Sequence, residues 1–371
     1  MLRKFALMLF AVFFMYNCEG KDPFSFVQGL LFQKKQEKLR IGVSFPTKYE
    51  TRWNKDLEYL IKAADEAGVD LYYDSVDKNA REQEAQCDAL LQKKLNVLIL
   101  APHDARAAGT IVEKAKSAGV KVISYDRLVL GADVDFYISF DNVRVGELQA
   151  EYITRKVPTG NYIVLSGAPT DNNSKMFHSG AMNVLTPLAD AGKIRIVADS
   201  PIDNWDAEVA ENITNDILNK YGTEIGAVIA PNDRTAGGVI NALKSHHLAG
   251  YVAVSGQDAD FEAAGRVMSG LQSMTVFKDS RNLANAAVGA AINMALGQPP
   301  PSSGRFVYNG KGQIPSMLLE PITLDKDNIV QTLEQTGYIS MEQARELLST
   351  ESIVFGNVDE AVMMPAPTGG H

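Results

Sequence analysis

The stretch Val120–Arg127, Val-Lys-Val-Ile-Ser-Tyr-Asp-Arg, is an apolar run that stops abruptly at an acid and an arginine. The same arrangement recurs four more times, with apolar runs leading into Asp141-Asn142, Asp171-Asn172-Asn173, Asn232-Asp233 and Gln257-Asp258. Most of these runs are followed by a helix-like stretch. In open α/β sheets, ligands bind outside the carboxyl ends of the strands. Acids, amides and an arginine at such ends have the hydrogen-bonding chemistry to hold a small neutral molecule rich in hydroxyl groups, such as a sugar.

Strand-like and helix-like segments alternate along the chain in two series. The predicted strands of the first series are Arg40–Phe45, Val69–Tyr73, Val97–Ala101, Val120–Tyr125 and Tyr137–Phe140, and those of the second are Tyr162–Ser166, Ile194–Ala198, Ala227–Ala230 and Val252–Ser255. Gly68 and Gly119 follow helix-like stretches, where a left-handed residue ends a helix. This alternation predicts an α/β fold with two doubly wound parallel-sheet domains and an interdomain cleft.

The two series predict a chain that passes more than once between domains. The predicted N-terminal α/β domain comprises residues 38–142 plus 276–310, and the predicted C-terminal α/β domain comprises residues 143–275 plus 311–340. We expect crossings near 141–144 and 273–278, and a third near 299–315, which is rich in Pro, Gly and Ser. Residues 341–371 are predicted to form a C-terminal tail.

The composition excludes two classes of partner. The chain has 371 residues, 46% hydrophobic and 22% charged, with a formal net charge of −9. Nucleic acids and anionic membrane surfaces both require basic patches, so we expect neither as a partner. A length of 371 residues is sufficient for two domains of ordinary size.

The N-terminus is typical of an export signal. Arg3 and Lys4 precede an unbroken apolar stretch at 5–16, which is too short to span a bilayer comfortably. Cys18 directly follows this region, as in a bacterial lipoprotein, and we predict that it is acylated; the alternative is an ordinary cleaved signal peptide. Residues 1–18 are thus predicted to be the signal segment and 19–37 a tether. Cys87, on a helix-like stretch, is interpreted as a small buried hydrophobe.

Seven residues at predicted strand ends have the chemistry to hold a sugar. The candidates are Trp53, Asp126, Arg127, Asn173, Trp205, Asn232 and Asp258. The two tryptophans are the only ones in the chain, and they are predicted to stack on the two faces of a pyranose ring. Either tryptophan could instead be a packing residue, and any of the acids or amides could instead cap a helix.

Enzyme and cofactor motifs are missing from the sequence. No Gly-x-Gly-x-x-Gly follows the first strand, and the chain contains neither a Walker loop nor a Gly-x-Ser-x-Gly elbow. We therefore predict a binding protein that is not an enzyme and that uses no cofactor and no metal.

Several longer motifs resemble those of the ribose/galactose-type family of bacterial periplasmic sugar-binding proteins. The motifs are Tyr125-Asp126-Arg127, Asp135–Asn142, Gly146–Ala150 and Ser255–Asp260, and the likeness runs from about Leu39 to Ile329. The segments Pro46-Thr47-Lys48, Arg52-Trp53 and Phe277–Arg281 are more similar to multi-sugar-binding members of this family. The resemblance implies a type I periplasmic binding protein, or Venus flytrap, fold.

The resemblance also implies ligand contacts that the residues alone do not. It adds Arg52, Asp171 and Lys278 to the candidates, and it places His178 where the xylose-binding pattern has arginine. The implied ligand is a monosaccharide, D-xylose, bound by hinge closure; the alternatives are a broad aldose specificity and a sensor that feeds a chemoreceptor or histidine kinase. The implied partners are the membrane permease of an ABC importer and a chemoreceptor. We expect a monomer in the periplasm or on the outer face of a bacterial membrane.

Overall fold

The protein is represented by a computed structural model that describes residues 38–48, 50–75, 79–302 and 304–358. The predicted signal segment 1–18 with Cys18, the tether 19–37 and the last part of the predicted tail lie outside the described residues. The strands and helices, in chain order, are β1 (Arg40–Phe45), α1 (Thr51–Ala67), β2 (Asp70–Ser75), α2 (Ala80–Leu91), β3 (Val97–Leu100), α3 (Gly109–Ser117), β4 (Lys121–Tyr125), β5 (Phe136–Phe140), α4 (Asn142–Lys156), β6 (Gly160–Ser166), α5 (Asn172–Asp190), β7 (Ile194–Pro201), α6 (Ala207–Tyr221), β8 (Ile225–Ile229), α7 (Asp233–Ser245), β9 (Ala253–Val254), α8 (Phe261–Met268), β10 (Thr275–Phe277), α9 (Ser280–Ala295), β11 (Arg305–Tyr308), β12 (Gln313–Leu319), β13 (Ile322–Leu324), α10 (Ile329–Gln335) and α11 (Met341–Val358).

Two mainly parallel sheets organise these elements. The first sheet has the order β11-β12-β5-β4-β3-β1-β2, in which only β11 runs antiparallel to its neighbour, and the second has the order β7-β6-β8-β9 with all strands parallel. A short antiparallel pair, β10 with β13, stands beside them. Strand β3 is buried at every position, as expected for a parallel strand covered on both faces. The predicted α/β fold class is therefore confirmed.

The chain remains in the first sheet longer than predicted. The prediction assigned residues 311–340 to the second half, but β12 pairs in parallel with β5, with Ser316 opposite Tyr137. The turn at Asn309, which resembled a crossing in sequence, is a hairpin. The Asn309 amide donates to the main-chain oxygens of Val129 and Ala132 and holds this hairpin against the loop between β4 and β5. The assignment of residues 313–319 was therefore wrong.

The predicted tail begins as a packed helix. Ala344 and Leu347 of α11 are buried in a cluster with α8 and α10, so residues 341–349 do not form a loose tail. These two residues are three positions apart in the helix, so both side chains lie on one face. Among the described residues, no helix combines the length and apolar character needed to cross a membrane.

Local predictions about single residues hold at three positions. Gly68 and Gly119 have left-handed φ angles of 70° and 74° where α1 and α3 end. Cys87 is buried in the core of the first sheet, and burial raises the pKa of its thiol to about 12. The thiol is therefore a packing group, as predicted.

Candidate functional site

The loops at the carboxyl ends of both sheets surround a nearly filled cavity with about 10 Å³ of free space, here called the inner cavity. Glu50, Arg52, Asp126 and Arg127 line it from the first sheet, Asp171, Asn173, Phe177, Trp205, Asn232, Gln257 and Asp258 line it from the second, and Lys278 follows β10. The predicted residues are therefore brought together, with the exception of Trp53 and His178. This free space is enough for about one water molecule, because the pairs Arg52–Asp258 and Arg127–Asp171 join across the cavity. A sugar ring therefore enters only when these pairs separate.

Asp126 stands at the end of β4 in a left-handed conformation, with φ of 59°. Its main-chain oxygen accepts hydrogen bonds from Ser139 Oγ at 2.7 Å, Tyr137 OH at 3.1 Å and Asn173 Nδ2 at 3.1 Å. These three donors hold a backbone conformation that is sparsely populated for residues other than glycine. Such strained residues cluster at binding sites.

The Asp126 carboxylate belongs to a buried cluster of charges that includes Arg52, Asp258 and Lys278. Arg52 Nη2 donates to Asp126 Oδ2 at 2.9 Å, and Arg52 Nη1 donates to Asp258 Oδ1 at 3.3 Å. Lys278 Nζ lies 3.2 Å from Asp258 Oδ1 and 3.7 Å from Asp126 Oδ2. Burial by itself would raise the pKa of Asp126, but the charges of Arg52, Lys278 and Arg127 outweigh burial and lower the pKa to about 2. The carboxylate is therefore ionised at neutral pH.

Arg127 forms a second bridge between the sheets. Its Nε lies 2.8 Å from Asp171 Oδ2, and its Nη2 donates to Glu50 Oε1 at 3.1 Å. The other oxygen of Asp171 accepts from Asn173 N at 2.9 Å and caps α5. Asp171 is thus a helix cap and a cavity residue at once, so the two interpretations of such residues do not exclude each other.

Asn232 has the same double role on α7. Its side-chain oxygen accepts from Thr235 N at 3.0 Å in a capping box, while the residue lines the inner cavity. Helix caps place a polar side chain at the carboxyl end of the preceding strand, because the helix begins there. The capping pattern in the sequence therefore also points to the cavity.

Trp53 does not line the inner cavity, contrary to the prediction that it stacks on a ligand. Its side chain is 2% exposed and lies 5.1 Å from the ring of Phe45. The guanidinium carbons of Arg52 and Arg127 lie 4.4 and 5.2 Å from the centre of the indole ring. Trp53 is therefore a cation–π platform that orients both arginines from below.

Trp205 supplies the aromatic wall of the inner cavity, as predicted, together with Phe177, which was not among the predicted residues. The two rings meet edge to face at 6.3 Å. Phe177 lies four residues after Asn173 on α5, and residues at this spacing share one helix face. The spacing of four residues from Asn173 was therefore a signal in the sequence that could have identified Phe177 as a cavity residue.

His178 lies away from the inner cavity, contrary to the prediction. One position further along α5 than Phe177, it is rotated by about 100° from the cavity face. Its Nε2 lies 2.8 Å from Asp199 Oδ2, and this contact raises the pKa of the imidazole. His178 itself therefore does not contribute to the lining of the cavity.

We expect His178→Gln to leave the dissociation constant of a sugar within about threefold of the original, since surface ion pairs contribute little. The raised pKa predicts a separate effect on folding. The His178–Asp199 pair stabilises the folded protein below the ordinary histidine pKa of 6.5, and this contribution is lost as the pH rises through the folded-state pKa. Melting temperatures at pH 5.5 and pH 8.5 measure this effect. A large loss of sugar affinity in the variant would contradict the placement of His178.

Buried polar atoms without partners surround the cavity. Among the described residues, these atoms include Arg52 Nε, Asn173 Oδ1, Gln257 Oε1 and Trp205 Nε1. A buried donor or acceptor without a partner costs about 1–3 kcal/mol. Gln257 was part of the strand-end pattern but was not among the predicted site residues, and neither was Glu50.

The lining suits a neutral ligand rich in hydroxyl groups. Its four carboxylates, Glu50, Asp126, Asp171 and Asp258, nearly balance the three cations Arg52, Arg127 and Lys278. Hydroxyl groups both donate and accept, so they can satisfy carboxylates, guanidiniums and amides together. Within the parts of the chain that the structure describes, no group of three or more His, Cys, Asp or Glu side chains could hold a metal ion.

Comparisons with known proteins agree with this chemistry. The family model of the periplasmic binding protein domain matches residues 41–299. A D-xylose-binding periplasmic protein of Escherichia coli is 40% identical over 302 residues, which cover 81% of this chain and 91% of that protein. A multiple sugar-binding periplasmic protein of Azospirillum brasilense is 34% identical, over 83% of this chain and 92% of that protein.

A solved structure shows the same architecture. The carbohydrate transporter solute-binding protein of Chloroflexus aurantiacus, in complex with D-glucose, is 33% identical with a TM-score of 0.78. The match covers 83% of this chain and 98% of that chain. The type I periplasmic binding fold expected from the motifs is therefore confirmed.

Proposed function

This chain belongs to the periplasmic binding protein family, and from that premise we propose that it is the substrate-binding component of a sugar ABC importer. It binds one monosaccharide, D-xylose, in the inner cavity. It performs no catalysis, and it hands the sugar to a membrane permease. The identity to a D-xylose-binding relative supports the sugar, and the similarity to a carbohydrate transporter solute-binding protein supports the role.

One observation carries this proposal: a buried, nearly charge-balanced ring with unpartnered polar atoms. Arg52 Nε, Asn173 Oδ1 and Gln257 Oε1 each await a hydrogen bond, and sugar hydroxyls supply such bonds from any side of the ring. Charge-assisted hydrogen bonds to Asp126, Asp258 and the arginines are about twice as strong as neutral ones. Together with packing on Trp205, they are sufficient for a micromolar constant, which corresponds to about −8 kcal/mol.

Binding is coupled to closure of the two sheets over the sugar. The pairs Arg52–Asp258 and Arg127–Asp171 join side chains from the two sheets, so both halves contribute to one ring of charges. A ligand favours the closed state only by binding it better than the open state. The sugar does so because only the closed state presents both sets of residues. This hinge closure is the signal that the permease reads.

The direct test is calorimetric titration with D-xylose, D-glucose, L-arabinose, D-galactose and D-ribose. Micromolar binding of D-xylose, with the other sugars at least tenfold weaker, is the expected result. Comparable binding of D-glucose would favour a broad aldose site, to which the glucose complex and the multiple sugar-binding relative point. A protein that binds none of the five sugars would refute the proposal.

The two tryptophans give a second test of the site. Because Trp205 lines the inner cavity and Trp53 lies beneath the arginines, we expect the sugar-induced change in tryptophan fluorescence to survive in Trp53→Phe and to vanish in Trp205→Phe. Both variants retain one of the two tryptophans in the chain, so each serves as the control of the other. A fluorescence change that vanishes in Trp53→Phe and survives in Trp205→Phe would place the ligand beside Trp53 instead.

We place the protein at the outer face of a bacterial membrane, anchored through Cys18. The charged start, the apolar run 5–16 and the cysteine that follows it support this location. Cys18→Ser is expected to move the protein from the membrane pellet to the soluble fraction after cell lysis and to abolish labelling by radioactive palmitate. Unchanged fractionation and an unlabelled original protein would favour an ordinary cleaved signal peptide.

A further inference from the structure

A second cavity of about 340 Å³, here called the outer chamber, adjoins the inner cavity. The two share Glu50, Arg127 and Trp205 in their linings. The remaining lining residues of the outer chamber are Thr47, His103, Ala168, Thr170, Asn204, Asp206 and Arg234. The two cavities therefore meet at the side chains of Glu50, Arg127 and Trp205.

Both sheets build the outer chamber. Thr47 and His103 follow strands of the first sheet, while Thr170 and Asn204 follow strands of the second. Ala105 N donates to Thr170 O at 3.0 Å, a main-chain hydrogen bond that joins the two halves beside the chamber. The outer chamber, like the inner cavity, therefore depends on contributions from both halves.

The backbone fixes Trp205 as the partition between the two spaces. Asn204 and Trp205 are consecutive left-handed residues, with φ of 54° and 56°. A Cβ atom at Gly167 would lie 2.1 Å from the six-membered ring of Trp205, so glycine is required for the indole to lie against the main chain there. Two strained residues and one obligatory glycine thus place a single ring so that it borders both cavities.

The lining of the outer chamber has the chemistry of a second sugar site. Glu50 and Asp206 balance Arg127 and Arg234, so the charges favour a neutral ligand. The two threonines, Asn204 and His103 add groups that both donate and accept hydrogen bonds. The indole supplies the apolar surface on which a sugar ring packs.

A third cavity, on the other side of Arg52, lacks this combination. It measures about 430 Å³ and includes Asp258, Asp260 and Glu262 in its lining. No aromatic residue is part of that lining among the described residues. Its lining also contains Arg52, Arg234 and Arg266, so the missing aromatic surface, and not its charge, makes it a poorer site for a sugar ring.

We propose that the outer chamber holds the second ring of a neutral disaccharide whose first ring lies in the inner cavity. This inference rests on the proposed function and extends its substrate class from free monosaccharides to short glycosides. The linkage passes the edge of Trp205, which lines both cavities.

The test compares D-xylose, methyl β-D-xyloside and the β-1,4-linked disaccharide xylobiose by calorimetry on the mature protein. We expect xylobiose to bind about tenfold more tightly than the methyl glycoside, as one or two additional hydrogen bonds would provide. Binding of D-xylose with no detectable binding of xylobiose would overturn the inference, because the outer chamber would then hold only solvent. The proposed function would not be affected by that result. If no sugar bound, the proposed function would fail as well.

A variant localises the second ring. Thr170 exposes its side chain, and its main-chain oxygen makes the bond to Ala105, so Thr170→Trp fills the outer chamber without removing that bond. We expect it to weaken xylobiose more than tenfold and to change D-xylose by less than about twofold. The matched control is Thr110→Trp on the exposed surface of α3, which should change neither. Unchanged xylobiose binding in Thr170→Trp would show that the second ring lies elsewhere.

Discussion

Asp126→Asn is expected to weaken sugar binding by at least about 100-fold, which corresponds to ~2.7 kcal/mol. The change removes an ionised acceptor from a buried site, where hydrogen bonds to charged groups contribute about 1.5–3 kcal/mol. It also leaves Lys278 with Asp258 as its remaining carboxylate in the cluster. Calorimetric titration of the purified variant measures the loss.

Asparagine is the cleaner substitution because it tolerates the left-handed backbone of position 126. Alanine should abolish binding too, but it adds strain of roughly 1–2 kcal/mol to the free protein. The fold should survive in Asp126→Asn, because Arg52 keeps its contacts with Asp56 at 3.1 Å and Asp258 at 3.3 Å. The loss of stability should therefore remain below the ~3–5 kcal/mol typical of a broken buried pair.

The exposed residue Asp190 provides the control. Asp190→Asn makes the same chemical change outside the site and should leave both affinity and stability unaltered. If the Asp126→Asn protein retained its affinity for the sugar, the proposed site would be refuted. A variant that fails to fold would show instead that the carboxylate is structural, which circular dichroism distinguishes.

The lowered pKa of Asp126 also predicts how stability depends on pH. A carboxyl whose pKa falls from 3.8 to about 2 on folding contributes stability that is fully present above its unfolded value. That contribution is lost as the pH falls from 3.8 to about 2. Asp126→Asn should therefore flatten the acid limb of the stability curve in this window.

Gly146→Ala is expected to destabilise the protein by about 3 kcal/mol, the upper end of the cost of overpacking. A Cβ atom at Gly146 in α4 would lie 1.9 Å from the main-chain oxygen of Phe177 in α5, and one at Gly180 would lie 2.0 Å from the main-chain oxygen of Val143. Both obstacles are backbone, so neither can rotate away. The two helices must move apart.

The same change should weaken sugar binding, because α5 carries Asn173 and Phe177 into the inner cavity. Urea denaturation measures the stability, and titration measures the affinity. Gly289→Ala in α9 is the matched control, since nothing lies within 4 Å of its Cβ position. It should stabilise the protein by about 0.5–1 kcal/mol, because alanine is the better helix former. A Gly146→Ala protein as stable as Gly289→Ala would contradict this close helix packing.

Local residue patterns were sufficient to predict the architecture. Parallel strands buried on both faces are apolar runs in the sequence, and the helices between them have their own spacing, so alternation along the chain indicates α/β units. Polar residues follow the strand ends, some as caps of the next helix, such as Asn232, and others without capping one, such as Asp126 after β4. For this reason the strand-end pattern in the sequence was sufficient to select Asp126, Asn232 and Asp258 as cavity residues.

Long-range pairing and side-chain direction could not be predicted in the same way. The pairing of β12 with β5 joins residues nearly two hundred positions apart, and no local pattern distinguishes a hairpin from a crossing. Trp53 and His178 each follow a cavity residue by one position on a helix. A rotation of about 100° per residue turns them to another face, and only the axis of the folded helix decides which face meets the cavity.

The sequence by itself determined the fold class, the strand ends and the class of ligand, because backbone propensity and hydrogen-bonding chemistry are properties of short segments. Only the tertiary structure decided which charges pair across the two sheets, which atoms lack partners, and that Trp53 supports two arginines while Trp205 borders two cavities. Those facts depend on distances between segments far apart in the chain. Such distances exist only once both sheets have packed.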